Sequence, residues 1–193
     1  MPLITELMLR KAARNFLLPR LESPIDVLVD ELVIPDGRAR VDLALVNGHV
    51  EAFELKSDFD SLRRLPSQAE RYEPYFDRIT LVTTRRFSER AVSLLPTWWG
   101  IVVAECKRDK ICLRWNRRAL LNPSMRFEKQ CQFLWKEDLL RLSRNHAVNI
   151  KGRHAMGKEE LTQVVMAAGV SRSLKSEMRT LLKSRIHSLT KLR

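Results

Sequence analysis

The chain has 193 residues, 45% of them hydrophobic and 30% charged, with six Gly and eight Pro. This balance excludes a disordered or low-complexity chain and gives enough length for one well-packed domain with a smaller appendage. No apolar run approaches the roughly 20 residues needed to cross a bilayer, and Glu6, Arg10, Lys11 and Arg14 interrupt the amino terminus before a signal-peptide core can form; a cytoplasmic protein with no membrane association is the expectation. The net charge of +12 is unevenly spread, since residues 1–104 sum to −1 and residues 105–193 to +13. A nearly neutral front joined to a basic rear suits a polyanion, most simply nucleic-acid phosphate, against the plainer reading of a solvated basic face.

Residues 3–17 consist of good helix formers with Leu3, Leu7, Arg10 or Lys11, Arg14 and Leu17 at helical spacing, which predicts an amphipathic opening helix. After the Glu22-Ser23-Pro24 break, the β-branched run 25–34 reads as a strand closed by the turn Pro35-Asp36-Gly37. Strands are expected at 40–46 and 50–56, a helix in two pieces over 57–73 because Pro66 suits a first turn, a strand at 78–84, a helix at 88–95, and strands at 100–105 and 111–115. This order describes a mixed α/β domain with a central sheet over residues 1–121. From about Asn122 the pattern is helical only, with helices expected around residues 133–142, 158–168 and 174–189 and a basic linker at 149–157. Residues 122–193 therefore read as a small basic helical domain.

The pairing of the strands at 40–46 and 50–56 decides whether their acids can cooperate. A two-residue Asn47-Gly48 turn would set Asp42 against Phe53 and put Asp42 and Glu54 on opposite faces. A three-residue loop, Asn47-Gly48-His49, instead pairs Val46 with Val50, Ala44 with Ala52 and Asp42 with Glu54, and collects Leu43, Phe53, Val41 and Leu55 on one apolar face. The pattern selects the odd loop. Its other face then bears Asp42, Glu54 and Lys56, and two opposed carboxylates call for a compensating cation. Lys56 supplies one charge, and a hard divalent ion such as Mg²⁺ would supply the rest through oxygen ligands, polarising a phosphodiester and generating hydroxide. The alternative is an ordinary partly solvated Asp-Glu-Lys cluster.

These residues resemble a known family. Asp42 followed by Glu54-Leu55-Lys56 after a hairpin looks like the signature of the PD-(D/E)xK nuclease superfamily, and Gln68-Ala69-Glu70-Arg71-Tyr72 matches the QxxxY motif of its RecB-type branch. The stretch from Val29 to Gly100 is similar to small bacterial and phage-associated members, with Glu31, Arg40-x-Asp42, Glu54-x-Lys56-Ser57 and Trp98-Trp99-Gly100 in order. The resemblance covers the first half of the chain and implies a restriction-endonuclease-like core, here carrying a basic helical segment. It implies Mg²⁺, or Mn²⁺ in its place, held by Asp42, Glu54 and the backbone carbonyl of Leu55, with Lys56 assisting the attacking water. Gln68 and Tyr72 would contact substrate or order the lysine. A further acid commonly joins such sites, and Glu31 is chosen for it, with Glu6 on the opening helix as the alternative. Some RecB-type relatives hold an iron-sulfur cluster on four cysteines; Cys106, Cys112 and Cys131 are three and unsuitably spaced, so no cluster is expected.

Arg40 could pair with Glu31 or reach a phosphate. Arg63 and Arg64 could touch nucleic-acid backbone, or form a solvated face with Asp60 pairing Arg64. Trp98 and Trp99 read as core rather than as a stacking platform. The sequence reading is a metal-dependent nuclease, acting on DNA in bacterial or phage DNA processing, repair or defence; its alternative is a catalytically silent nuclease fold used as a DNA-binding or assembly subunit. The rear helices could equally dock another protein or a second copy of the chain.

Overall fold

The computed structural model describes residues 2–108, 110–146 and 152–190. Six strands, β1 (Val27–Val33), β2 (Arg40–Val46), β3 (Val50–Lys56), β4 (Arg78–Thr84), β5 (Gly100–Lys107) and β6 (Lys110–Arg117), form one sheet in the order β1-β2-β3-β4-β5-β6. The β1–β2, β2–β3 and β5–β6 pairs are antiparallel, whereas β3–β4 and β4–β5 are parallel. The parallel pairs need crossovers, supplied by helices α2 (Leu65–Tyr72) and α3 (Arg85–Leu94). β3 is a central strand, and all seven of its residues are buried. Gly100 opens β5 where a Cβ would lie 2.6 Å from the Thr80 hydroxyl and 3.0 Å from the Ala119 backbone, so close packing requires glycine there.

Each sheet face has its own apolar layer. Helix α1 (Glu6–Leu17), capped by Thr5, sets Leu9, Ala13 and Leu17 against Leu43, Leu45, Phe53 and Leu55. This corrects part of the expected helix face: Leu3 and Leu7 are exposed, whereas Leu17 is buried as expected, in a stripe with Leu9 and Ala13. The opposite face packs Ala44, Ala52, Ile79, Leu81 and Ile101 beneath α2, α3 and the C-terminal helices. These are α4 (Phe127–Cys131), α5 (Lys136–His146), α6 (Lys158–Ala167) and α7 (Arg172–Thr190). Asn122 ties their start to the sheet layer by donating to the carbonyls of Glu73 at 2.7 Å and Phe76 at 2.8 Å. Trp99 is fully buried, in keeping with a core reading.

Several boundaries moved for local reasons. The region expected to begin the two-piece helix is turn at residues 57–64, because Asp60 accepts from both the backbone and the hydroxyl of Ser57, and Pro66 then starts α2 in its first turn. Phe133 to Trp135 lie between α4 and α5 and not within a helix. The expected linker at 149–157 falls partly outside the described residues; within its described part, Arg153–Ala155 is a 3₁₀ turn. Among the described residues no helix is long and apolar enough to cross a membrane.

Candidate active site

The β2–β3 register runs Val46–Val50, Leu45–Glu51, Ala44–Ala52 and Leu43–Phe53, so the three-residue loop expected at 47–49 is present. The ladder ends there. Beyond it the side chain of Asp42 takes the N–H of Leu55 at 2.7 Å, an N–H that a continued ladder would give to a backbone carbonyl. Val41 therefore does not join Leu55; it packs with the opposite apolar layer, a correction to the expected face. Parting of the strands at this point leaves the Asp42 carboxylate between them.

Glu54 is the centre of the inner half of the site. It is 2% exposed, and its Oε1 accepts from the Lys56 ammonium at 2.5 Å and from Gln68 Nε2 at 2.6 Å. Its Oε2 lies 2.9 Å from the Tyr72 hydroxyl, which also lies 3.0 Å from the Arg40 carbonyl and so shares one proton between two acceptors. Gln68 and Tyr72, one turn apart on α2, thus reach the same carboxylate. The Tyr72 phenol is held well above its ordinary range by burial first and by the Glu54 charge next. It acts here as a donor, not as a phenolate.

The outer half is organised by Arg10, a residue of α1 that carries no motif of its own in the sequence. Its Nη2 lies 2.9 Å from Glu6, 2.8 Å from Glu31 and 3.0 Å from Asp42, while Nη1 donates to the Asp42 carbonyl at 2.9 Å. Asp30 lies 3.6 Å from Nη1 and pairs with Arg14. Both candidates for the additional acid therefore meet on one guanidinium. Glu31 reaches it from the left-handed region, with φ 59°, a conformation a residue of this kind seldom adopts without a local reason. Glu31 also pairs with Arg40, which resolves the first of the two readings of that arginine.

Burial, together with the charge of Glu54, pushes the Asp42 carboxyl up to about 6 from 3.8, against the opposing pull of the Leu55 N–H and Arg10. Two acids whose repulsion is only partly relieved suit a hard cation. Among protein partners in the described residues, Glu54 Oε2 and both oxygens of Asp42 each retain a lone pair for a further ligand, and the Leu55 carbonyl lies on the same strand between Glu54 and Lys56. A divalent ion bound by one or two carboxylates and several waters fits this set, although no group of three His, Cys, Asp or Glu among the described residues is arranged to hold one.

Arg63 and Arg64 are exposed in the turn before α2, and no ion pair joins either to a described residue. Asp60 is engaged with Ser57 instead of Arg64, so the expected pair is not formed. The three cysteines lie on β5, β6 and α4 as free thiols.

The sequence profile described as bacteriophage P4 protein cII matches residues 3–192. The chain belongs to the bacteriophage P4 protein cII family. Protein cII of Enterobacteria phage P4 is 30% identical over an alignment of 100 positions that covers 47% of this chain and 38% of that protein. The match thus spans about two fifths of the curated relative. Among solved structures, a protein of unknown function from Silicibacter pomeroyi is 19% identical, covers 64% of this chain and 77% of its own, and superposes with a TM-score of 0.46.

Proposed function

We propose that this member of the cII family is a metal-dependent nuclease with a restriction-endonuclease-like core, hydrolysing phosphodiester bonds of DNA in bacterial or phage DNA metabolism. The observation that carries the reading is the convergence of Lys56, Gln68 and Tyr72 on the single carboxylate of Glu54, with Asp42 beside it. Residues spread over 31 positions of sequence meet in the order of the D…ExK…QxxxY signature. A buried carboxylate needs hydrogen bonds to both oxygens, and here the two residues of the QxxxY motif, Gln68 and Tyr72, supply them beside Lys56.

Asp42, Glu54 and the Leu55 carbonyl would hold Mg²⁺ or Mn²⁺. Such an ion, when bound, polarises the scissile phosphate and lowers the pKa of its water. Lys56, 6% exposed in its side chain and fixed by Glu54, places a positive charge where negative charge develops on the phosphate. Gln68 and Tyr72 hold the Glu54 carboxylate by both oxygens, so its orientation is set before substrate arrives. Arg10 and Arg40 restrain the outer acids.

A silent fold used for DNA binding is the second reading, favoured by the lack, among the described residues, of three His, Cys, Asp or Glu side chains arranged to hold a metal. One assay separates them: supercoiled, linear duplex and single-stranded DNA incubated with Mg²⁺ or Mn²⁺, using wild type, Lys56→Ala and Asp42→Asn. Thermal melts establish which variants are folded. The wild type is expected to cut and each folded variant to lose activity by about 100-fold or more. Absence of cutting with every metal and topology, or undiminished cutting by folded Asp42→Asn, overturns the nuclease reading.

A further inference from the structure

We infer that α6 and α7 form a helix-turn-helix that seats the first half of α7 on double-stranded DNA. This deepens the nucleic-acid reading above by naming the duplex as partner and α7 as the contact, and it rests on a surface separate from the carboxylate site.

The local structure starts with the turn. Helix α6 spans 10 residues and α7 spans 19, and only residues 168–171 separate them. Gly169 sits there at φ +85°, where any L side chain is strained, and its N–H donates to the Met166 carbonyl at 3.1 Å to end α6. Ser171 restarts the chain: its hydroxyl accepts the N–H of Leu174 at 3.1 Å. A turn of three or four residues containing glycine is the connection found in helix-turn-helix units. Helix α5 supplies the third helix, and Leu139, Leu142, Leu161, Val165, Leu174 and Met178 from the three helices are all fully buried in one cluster.

Charge then separates the two halves of α7. In the second half Lys183 is buried against Asp26 at 2.7 Å, and the Arg185 guanidinium stacks 4.8 Å above Trp135, so these cations fasten the helix to the body of the protein. In the first half Arg172, Lys175 and Arg179 recur at i, i+3 and i+7 along one stripe, and no ion pair joins any of them to a described residue. Exposed Ser173 and Ser176 lie among them. Glu177 is the one acid of α7, and it is turned inward, accepting from Asn145 at 2.7 Å and lying 2.7 Å from His146 Nε2. The outward stripe is thus basic and hydroxyl-bearing with no acid. Arg179 acts on the β2–β3 loop: the His49 imidazole is lowered by burial, then by Arg78, against the pull of Asp77 and Glu51, and least by Arg179.

These are the groups that contact phosphates and base edges, presented on a helix of the width the major groove admits. Single-stranded nucleic acid calls for aromatic platforms on which bases stack. The exposed stripe of α7 has none; Trp135 lies outside α7, 45% exposed, with one ring face under Arg185.

The test uses the full chain with a fluorescent random-sequence DNA duplex, in EDTA so that binding is read without cleavage, over a series of salt concentrations. Wild type is compared with Arg172→Ala/Lys175→Ala/Arg179→Ala and with Ser176→Glu. The inference predicts that the triple variant binds at least 10-fold more weakly and that its slope of log K against log salt is shallower by about two to three. Ser176→Glu, which adds one negative charge to an exposed position, weakens binding while leaving the melting temperature unchanged. Undiminished affinity and slope in the triple variant overturn the inference, as does wild-type preference for single-stranded DNA or RNA over the duplex. Duplex binding lost in these variants but without cleavage by wild type sinks the nuclease reading alone; cleavage by wild type with duplex binding unchanged in the variants sinks this inference alone.

Discussion

The two halves of the candidate site hold charge in opposite ways. In the inner half, Glu54 and Lys56 are nearly sealed from solvent, and the carboxylate is engaged by Lys56, Gln68 and Tyr72. In the outer half, one arginine is shared among Glu6, Asp30, Glu31 and Asp42, whose side chains are 22% to 62% exposed. A sealed pair strands a charge whenever one member is removed, whereas water and salt can stand in for a missing member of an exposed network. The inner half should therefore be costly to break and indifferent to salt. The outer half should be cheap to break and sensitive to it.

The largest effect is expected from the inner pair. Glu54→Gln leaves a buried ammonium beside a neutral amide, and Lys56→Met leaves a buried carboxylate with only neutral donors. Each should cost about 3–5 kcal/mol in urea denaturation. The double variant removes both charges and keeps an amide that can accept from Tyr72, so it should lose less than either single variant. Additive losses in the double variant would contradict the account of Glu54 and Lys56 as one sealed unit.

The same contrast explains what was legible in the sequence. The inner half was, because its members are fixed by short-range rules: the odd loop at 47–49 sets the β2–β3 register, alternation on β3 puts Glu54 and Lys56 on one face, and a four-residue step on α2 aligns Gln68 with Tyr72. The order of elements along the chain is legible from the alternation of patterns, although α3 begins three residues earlier than expected, at Arg85. The outer half was not legible. Arg10 meets Asp42 across 32 positions and from the other side of the sheet, and nothing at Arg10 itself distinguishes it from Lys11 or Arg14. The direct pairing of Asp42 with Glu54 failed for a related reason. The side chain of Asp42 competes for the Leu55 N–H, a local exchange of backbone for side-chain bonding that the hydrophobic pattern does not encode.

Asp42 stands between the halves, and pH can divide them. Its carboxyl is pushed up to about 6 in the folded protein from about 3.8 when unfolded. Between these values the folded state keeps a proton that the unfolded state has released, so stability from this group falls as pH rises from about 4 to 6 and stays lower above. Asp42→Asn removes that loss. Relative to wild type the variant should gain up to about 3 kcal/mol between pH 3.5 and pH 8, from the 1.36 kcal/mol that accompanies each pKa unit. Thermal melts of both proteins across that range measure it, and a difference that does not change with pH would mean that the Asp42 carboxylate is as well solvated as an ordinary surface acid.

The smallest effect belongs to the outer network, and it is the one that most sharply distinguishes it from the inner. Arg10 is itself 17% exposed in its side chain, so its pairs are partly desolvated at the centre and wet at the rim. Arg10→Met keeps the aliphatic stem and removes the guanidinium, leaving Glu6, Asp30, Glu31 and Asp42 to repel one another. The loss at low salt should be about 1 kcal/mol, since partly solvated pairs contribute little each. At about 1 M salt the screening length falls to about 3 Å, and the gap from wild type should shrink with it. Under the metal reading, Mn²⁺ should then raise the melting temperature of Arg10→Met by more than that of wild type, because a divalent cation can supply the charge the guanidinium supplied and binding to the folded state alone stabilises it. An equal Mn²⁺ response in the two proteins would mean that Arg10 and the ion do not draw on the same carboxylates, and would leave Arg10 as a clamp on the strand ends and nothing more.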